Sequence, residues 1–313
     1  MRQVAGGLVA VHAHPDDESL ATGALLATWA ASGRPVTLVT CTRGERGEVI
    51  GDALAHLEGD GPALAAHRET ELAGALAALG VTDHVFLDSV GPGRAHYEDS
   101  GMAWLGAGRA GSADDVPSGA FVAVPLDEAA ARLAHVLRTR RPDVVVTYEP
   151  AGGYGHPDHV RAHDVTMRAV ELATEPGDGL PGVRPLVLWA AQRAGALLGG
   201  RRALDHARVR AALGDARATL TLPGAELPSV AVPDDQVDLV VDVRPVRDRV
   251  LDALRAHATQ VHAVRSVDGL DALVGCYALS NDVLAPVLPT EDYRVADGSS
   301  TAVVWPTGVR PVA

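Results

Sequence analysis

The sequence predicts an α/β protein whose mostly parallel, Rossmann-like sheet is flanked by helices and followed by a smaller C-terminal extension. Three observations lead to this prediction. Short apolar runs alternate with helical segments along the first half of the chain. Clusters of histidine and carboxylate residues directly follow two of these runs, and the second half is less regular. Strands separated by helices imply βαβ crossovers, which connect parallel strands.

Six apolar runs predict β-strands, because each is short, apolar and bounded by turn residues. They are residues 8–11, 36–40, 84–87, 144–147, 186–189 and 239–241. Helices are predicted at about residues 20–31, 62–79, 127–140 and 245–261. Gly33 and Gly80 follow the first two of these, as expected at helix C-termini.

Residues 90–120 are rich in glycine, serine and aspartate and have no clear period. A loop of this length inside a compact domain is usually functional or mobile. We expect either a substrate-covering loop or a solvated insertion. Its segment 106–111 fits the dinucleotide pattern GxGxxG, but no clear strand precedes it. Because that context gives the motif its meaning, a nucleotide site is rejected here.

The length of 313 residues suits a single domain, with a core at about 1–190 and an extension at about 191–313. The net charge of −13 and the lack of a basic stripe argue against a nucleic-acid partner. No apolar run reaches the roughly 18 residues of a membrane span, and the first residues lack a signal-peptide pattern. We therefore expect a cytoplasmic protein without a membrane partner, and the sequence leaves its oligomeric state open.

The densest group of chemically active side chains follows the first predicted strand. It is the segment His14-Pro15-Asp16-Asp17-Glu18. Catalytic zinc takes nitrogen and oxygen ligands and keeps one position open for water. Two adjacent carboxylates need a cation between them, because like charges so close together are costly. One of Asp16 and Asp17 is therefore expected to bind metal, and the other to accept a proton from water.

A second cluster follows the fourth predicted strand and contains His156 and His159. These residues are spaced i, i+3, so a helix beginning here would place both on one side. Ligands of parallel sheets bind beyond the carboxyl ends of the strands, where the two clusters should converge. His14, Asp17 and His159 then supply two histidines and one carboxylate, a set found in hydrolytic zinc sites that also suits Fe(II).

These motifs resemble those of the LmbE-like zinc deacetylase family. The resemblance rests on the segment 14–18, on Gly-His-Pro-Asp-His at 155–159, on residues 39–52 and on residues 99–102. It spans roughly the first half of the chain, with weaker similarity at 254–261 and 278–282. The metal motifs identify the family, and residues 44–52 are similar to the branch that acts in mycothiol biosynthesis.

The resemblance implies which residues hold the metal, which act in catalysis and which bind the substrate. The implied ligands of one Zn²⁺ per chain, with Fe²⁺ as an alternative, are His14, Asp17 and His159. The implied catalytic residues are the general base Asp16, the carbonyl-polarising Tyr154, His156 at the tetrahedral intermediate, and Asp158 as an orienting partner. The implied substrate-binding residues are Glu48, Arg68 and Asp99.

The implied reaction is hydrolysis of the N-acetyl group of N-acetylglucosaminyl-inositol, which gives glucosaminyl-inositol and acetate. A mycothiol S-conjugate amidase is the close alternative, but that branch has a lysine after the metal motif, where this chain has Ser19 and Leu20. A deacetylase of another aminosugar natural product is a third option. Outside this class, a nucleotide-dependent oxidoreductase is disfavoured because the glycines at 106–111 do not follow a clear strand. The absence of lysine from the chain disfavours an amidohydrolase barrel, because many of its binuclear sites need a carbamylated lysine.

Three polar residues beside the clusters have simpler interpretations. Strand alternation favours a packing role for His12 rather than metal binding. Glu18 is expected to bond backbone at the start of the following helix. For Arg68, an exposed ion pair on a helix is the alternative to substrate binding.

Overall fold

The computed structural model describes residues 6–91, 96–106, 109–113, 115–296 and 302–312. The strands are β1 (Gly7–His12), β2 (Val36–Thr40), β3 (Asp83–Phe86), β4 (Met102–Gly106), β5 (Arg109–Ser112), β6 (Pro142–Thr147), β7 (Leu186–Arg193), β8 (Ala231–Val232), β9 (Leu239–Asp242), β10 (His262–Ser266), β11 (Gly275–Ala278), β12 (Leu284–Val287), β13 (Thr290–Val295) and β14 (Val309–Pro311). The α-helices are α1 (Asp17–Ala21), α2 (Gly23–Ala31), α3 (Gly61–Leu79), α4 (Leu126–Arg140), α5 (Gly152–Gly155), α6 (Pro157–Ala173), α7 (Ala194–Ala203), α8 (Ala207–Leu213) and α9 (Arg247–Ala256).

The main sheet has the strand order β14-β9-β13-β7-β6-β1-β2-β3, with β8 beside the end of β7. Within this order, the five neighbouring strands β7, β6, β1, β2 and β3 are parallel to one another. β13, β9 and β14 join the other edge of β7 in antiparallel pairs. The predicted α/β class and mostly parallel sheet are therefore confirmed, and C-terminal strands extend that same sheet.

Helices cover both faces of the sheet because successive strand side chains point to opposite sides. Leu8 and Ala10 of β1 belong to a core that includes side chains of α2, α3 and α9. Val9 and Val11 belong to a second core, which includes side chains of α4 and α6. All six residues of β1 are buried, which explains why residues 8–11 form an unbroken apolar run.

Helix α3 lies where the sequence predicts it. It follows Asp60, whose carboxylate accepts a hydrogen bond from the N–H of Ala63 at 3.1 Å. It ends at Gly80, which adopts a φ of 81°. This left-handed conformation suits glycine and closes the last turn.

The first predicted helix is divided into α1 and α2 at Thr22. Thr22 has a φ of −139°, and its hydroxyl contacts His12 Nε2 at 2.8 Å. The N-terminus of α2 is capped from β13, since Glu291 accepts hydrogen bonds from the N–H groups of Ala24 and Leu25 at 2.6 and 2.8 Å. Distant residues therefore create this break, which local periodicity does not reveal.

The C-terminal part differs most from the prediction. The predicted helix at 245–261 consists of a 3₁₀ turn at Arg244–Val246 and of α9, which ends at Ala256. Strands β10, β11 and β12 form a separate antiparallel sheet that the sequence pattern did not indicate. Within residues 90–120, β4 and β5 form a hairpin, while 92–95, 107–108 and 114 lie outside the described residues. No helix in the described part of the chain is long and apolar enough to cross a membrane.

Candidate active site

Two loops meet where β1 and β6 end. The two strands are adjacent and parallel, with Ala10 opposite Val146. The chain continues from β1 to β2 on one side, and from β6 to β7 on the other. The crevice at such a reversal of strand order is the usual ligand site of an open α/β sheet. Residues 13–18 and 148–159 therefore converge, as the sequence predicts.

Asp17 lies between the two histidines that are predicted to share a metal with it. Its Oδ2 is 3.3 Å from His14 Nδ1, and its Oδ1 is 3.2 Å from His159 Nε2. The backbone N–H of His14 also donates to Asp17 Oδ2 at 2.9 Å. All three side chains are buried. The structure thus brings the predicted ligands into one cluster.

The remaining ring nitrogen of each histidine has its own acceptor. His14 Nε2 is 3.2 Å from Asp158 Oδ2, and His159 Nδ1 is 3.2 Å from the carbonyl oxygen of Gly152. Metal-binding histidines almost always donate their second N–H to a carboxylate, a carbonyl or water. This arrangement leaves His14 Nδ1 and His159 Nε2 available to bind a metal ion beside Asp17.

One buried atom supports a cation at this position. His159 Nε2 is buried and faces Asp17 Oδ1 at 3.2 Å, yet it forms no hydrogen bond with any residue that the structure describes. A buried polar atom without a hydrogen bond costs about 1–3 kcal/mol. A divalent cation between Asp17 and the two imidazoles would supply the missing interaction, and this donor set suits zinc or Fe(II).

Further donors surround the same point. One nitrogen from each of His14, His156 and His159 lies within 4.8 Å of the others. His14 also forms such a group with Asp99 and Asp158. His156 and Asp99, which the resemblance assigns to catalysis and substrate binding, therefore lie at the metal-capable cluster itself.

In the metal-free protein, burial and neighbouring charges determine protonation inside this cluster. Burial disfavours charge on His14, but the carboxylates of Asp99, Asp158 and Asp17 outweigh burial and raise its pKa. Burial also opposes ionisation of Asp17, yet His159 and His14 hold its pKa well below the usual range. Burial and the neighbouring histidines lower the pKa of His156, so this ring is neutral near pH 7.

Asp16 lies beside the cluster in a conformation that is rare for a non-glycine residue, with a φ of 124°. Its N–H donates to Glu18 Oε2 at 2.9 Å, and its Oδ2 is 3.3 Å from Arg68 Nη2. Burial raises the pKa of Asp16 to about 6, although Arg68 opposes this shift. A carboxylate with such a pKa suits proton transfer near neutral pH.

Arg68 is buried, with only 2% of its surface exposed, so the alternative of an exposed helical ion pair is wrong. Its guanidinium donates to the carbonyl oxygen of Gly44 at 2.8 Å and to that of Pro15. A Cβ on Gly44 would lie 2.0 Å from Arg68 Nη1. Arg68 therefore ties residues 44–52 to the Asp16 turn, and its assignment to substrate binding stays a prediction.

His156 begins helix α6 as its N-cap. Its Nδ1 accepts a hydrogen bond from the N–H of Asp158 at 3.1 Å, so the proton of the neutral ring is on Nε2. The Asp158 carboxylate contacts Ser100 and His14 instead. Asp158 thus orients His156 through its backbone and His14 through its side chain. The ring of Tyr154 lies edge-on to His156, with centroids 6.1 Å apart.

The cluster lies between two chambers of different polarity. A cleft of about 900 Å³ is lined by charged residues that include Arg46, Glu48 and Asp99. Glu48 is exposed there, whereas Asp99 is buried and lies 3.7 Å from His14 Nε2. A second, mostly apolar chamber of about 310 Å³ extends from His159 into the C-terminal part.

Several contacts of the site were missed by sequence reasoning. Tyr148 stacks on His159 with centroids 4.2 Å apart, and its hydroxyl accepts from the N–H of Ala13 at 2.9 Å. His257 contacts Glu18 at 2.7 Å from a position 239 residues away. The weak similarity at 254–261 was the only signal for His257. His12 packs on Tyr148 and contacts Thr22, as expected.

The chain is similar in sequence to a known family and to several named proteins. The family described as PIG-L: GlcNAc-PI de-N-acetylase matches residues 9–170. A 1D-myo-inositol 2-acetamido-2-deoxy-alpha-D-glucopyranoside deacetylase of Kineococcus radiotolerans is 50% identical over 288 residues, which cover 92% of this chain and 76% of that protein. The protein of that name in Streptomyces avermitilis is 44% identical, covering 93% of this chain and 92% of the relative.

A solved structure has a similar fold. It is the N,N'-diacetylchitobiose deacetylase from Pyrococcus horikoshii, at 19% identity and a TM-score of 0.50. The match covers 81% of this chain and 70% of the other. At this identity the likeness concerns the fold alone.

Proposed function

The chain belongs to the PIG-L family of GlcNAc-PI de-N-acetylases, and from this premise we propose that it is a metal-dependent N-deacetylase of N-acetylglucosaminyl-inositol. The products are glucosaminyl-inositol and acetate. The family resemblance predicted from the sequence is confirmed by relatives that are 41–50% identical and carry this activity in their names. In the structure, the observation that carries the proposal is the buried His159 Nε2, which faces Asp17 at 3.2 Å without a hydrogen bond and lies beside Asp16.

His14, Asp17 and His159 are the residues that would hold the metal. We propose one zinc per chain, and Fe(II) suits the same donors. When bound, such a cation polarises an amide carbonyl and lowers the pKa of water. The hydrogen bonds of Asp158 to His14 and of Gly152 to His159 set which ring nitrogens are free for it.

Asp16 is the proposed general base. Its pKa of about 6 leaves it ionised at neutral pH yet basic enough to take a proton from the attacking water. Arg68 holds its carboxylate at 3.3 Å, which restricts where the proton is accepted. The proton is then available to the leaving amine, so the base is regenerated with each turnover.

Tyr154 and His156 are the proposed donors to the oxygen on which negative charge develops. The neutral His156 ring carries its proton on Nε2, because Nδ1 accepts from the backbone of Asp158. The phenol pKa of Tyr154 is raised by burial and by Asp17, so its hydroxyl keeps its proton. Donors placed before the charge appears stabilise the transition state more than the ground state.

The polar cleft is the proposed site of the sugar and inositol rings. Its lining by Glu48 and Asp99 supplies acceptors for hydroxyl groups. Asp99 also lies close to His14, so a sugar held there would place its amide near the cluster. The proposed partner is this small polar substrate.

A side-by-side assay tests the function. Purified protein is given acetylated glucosaminyl-inositol or a mycothiol S-conjugate, before and after chelation and after readdition of Zn²⁺ or Fe²⁺. We expect faster turnover of the acetylated substrate, its loss on chelation and its recovery with metal. Faster turnover of the conjugate would assign the protein to the amidase branch. Purified protein with neither zinc nor iron would overturn the metal site.

Asp16→Asn tests the general base. The variant keeps the size of the side chain but cannot accept the proton, so we expect kcat to fall on the order of 10²–10⁴-fold. Metal content should match the wild type, because Asp16 is not a proposed ligand. Asp178→Asn, at an exposed carboxylate paired with His135, is the matched control. Near-normal turnover of Asp16→Asn with metal bound would rule out this role.

A further inference from the structure

We propose that residues 257–260, the turn that follows α9, position both the general base and the substrate-binding loop of the enzyme. The turn has the sequence His-Ala-Thr-Gln. This inference rests on the proposed function, since it assigns a task in that reaction to residues that contact neither metal ligands nor substrate. The side chains of His257, Thr259 and Gln260 each bond a different part of the site.

The first connection is made by His257 to the Asp16 turn. His257 Nε2 is 2.7 Å from Glu18 Oε1, and Glu18 Oε2 accepts the N–H of Asp16 at 2.9 Å. Both side chains of the pair are fully buried. His257 Nδ1 has no hydrogen-bonding partner among the residues described, so holding Glu18 is the one side-chain hydrogen bond that this imidazole makes there.

The Asp16 conformation explains why such a connection matters. Its φ of 124° is unfavourable for a residue with a side chain and persists only when the surroundings impose it. Glu18 holds the backbone of Asp16 from one side, and Arg68 holds its carboxylate from the other. The Ser19 hydroxyl also donates to Glu18 Oε1 at 2.5 Å, but Ser19 belongs to the same short helix, so His257 is the anchor from outside that helix. Without His257, the acceptor of the Asp16 N–H would be held only from within its own turn, and the base would leave its position.

The second connection is made by Thr259 to helix α3. Its N–H and its hydroxyl donate to the two carboxylate oxygens of Glu71 at 2.7 and 2.6 Å. Glu71 is one turn after Arg68 on α3, and both side chains are buried. The turn therefore holds the helix that carries the partner of Asp16.

The third connection is to the loop at the polar cleft. The N–H of Ile50 donates to the carbonyl oxygen of Thr259 at 3.0 Å, and Gln260 Nε2 donates to the carbonyl oxygen of Glu48 at 2.9 Å. Glu48 lines the cleft proposed for the sugar. The same turn thus fixes the base on one side and the substrate loop on the other.

His257→Leu tests the connection to the base. We expect kcat to fall about 10–100-fold, the range for lost support of a site residue, while KM and metal content stay near the wild-type values. His257→Gln should restore most of kcat, because its amide nitrogen can occupy the position of Nε2 and donate to Glu18. His135→Leu, at an exposed histidine on α4, is the matched control. Unchanged kcat in His257→Leu would overturn the proposal.

A double variant separates positioning from stability. His257→Leu alone leaves Glu18 as a buried unpaired charge, which can unfold the protein. Glu18→Gln with His257→Leu removes that charge and should restore folding, yet kcat should stay low because residue 18 lacks its anchor from outside the helix. If kcat instead recovers together with stability, the pair is only structural and the proposal fails.

Gln260→Ala tests the connection to the loop. We expect KM to rise about two- to tenfold, the equivalent of one hydrogen bond, with kcat unchanged. A fall in kcat with constant KM would contradict the separation of tasks within the turn. Arg255→Ala, at an exposed pair on α9, is the control.

Hydrogen exchange supplies a readout that needs no substrate. In His257→Leu, amides of the segment around Asp16 should exchange faster than in the wild type, and in His257→Gln they should not. Unchanged exchange would refute the anchoring. If the wild type failed to hydrolyse the acetylated substrate, the proposed function would fall, whereas the exchange result would still decide whether His257 holds the turn.

Discussion

Asp17 and Glu18 are consecutive carboxylates with opposite surroundings. Asp17 faces the imidazoles of His14 and His159, whereas Glu18 turns away to His257. Burial opposes ionisation of Glu18, but His257 lowers its pKa to about 2. Burial also disfavours charge on His257, yet Glu18 raises its pKa. The two groups therefore form a buried ion pair whose strength depends on pH.

The ion pair of Glu18 and His257 should make the stability of the protein depend on pH. The folded pKa of Glu18 is below its ordinary 4.5, so its contribution is present above about pH 4.5 and is lost as the pH falls towards 2. The folded pKa of His257 is above 6.5, so its contribution is full below that pH and is lost as the pH rises through the folded value. We expect the largest contribution between about pH 4.5 and 6.5.

Urea unfolding of metal-free protein measures this contribution. The free energies of unfolding of the wild type and of the doubly substituted protein (Glu18→Gln with His257→Leu) are compared from pH 3 to pH 9. The difference between the two free energies should be greatest between about pH 4.5 and 6.5 and smaller at lower and at higher pH. A difference that does not vary with pH would contradict the ion pair.

At the scale of elements, the short glycine-rich segment α5, which directly precedes α6, sets the position of His159. Gly152 has a φ of 68°, and its carbonyl accepts from His159 Nδ1. A Cβ at this residue would lie 2.8 Å from the backbone nitrogen of Val160 and 2.9 Å from His159 Cβ. Both the conformation and the close approach require glycine.

Gly152→Ala should therefore displace the His159 ring. We expect metal affinity to fall about 10–100-fold, as for other losses of support to a metal ligand, together with a lower Tm. Gly199→Ala in α7 is the matched control, because nothing lies within 4 Å of its Cβ position. It should stabilise the protein by about 0.5–1 kcal/mol. Calorimetry and metal competition check both variants, and equal metal affinity in the two would contradict the expected displacement.

The whole molecule has a core that joins the two ends of the chain. The cluster that contains Leu8 and Val144 also contains Leu239, Val250 and Tyr293. Strand β13 covers the edge of β7, and α9 packs against α3. C-terminal residues thus complete the sheet and one of its faces.

A chain that ends at Arg193 should not fold stably. It would expose the edge of β7 and the apolar face that α9 covers, and it would lack the 257–260 turn. We expect an insoluble product or one without a cooperative thermal transition, whereas the full chain prepared in parallel should melt cooperatively. A truncated protein that melted near the full-length Tm would show that the extension is accessory.

Local pattern was enough to locate the elements around the site. The apolar runs that became β1, β2 and β6 lie where predicted, and the helix predicted at 62–79 and followed by Gly80 matches α3 within one residue. Each of these signals operates over a few residues, through side-chain alternation, capping and backbone preference. Each metal motif is also a local signal, because it spans only a few residues. The two motifs converge because parallel strands present their carboxyl ends at the same edge of the sheet.

By itself, the sequence determined the α/β class, the family and the two clusters that meet at His14, Asp17 and His159. Only the tertiary structure decided which ring nitrogens face Asp17, that Arg68 is buried on Asp16, and that His257 anchors Glu18. The physical reason is distance along the chain. Periodicity and motifs report neighbours in sequence, whereas the partners of these buried charges come from segments up to 239 residues apart, and folding alone brings them together.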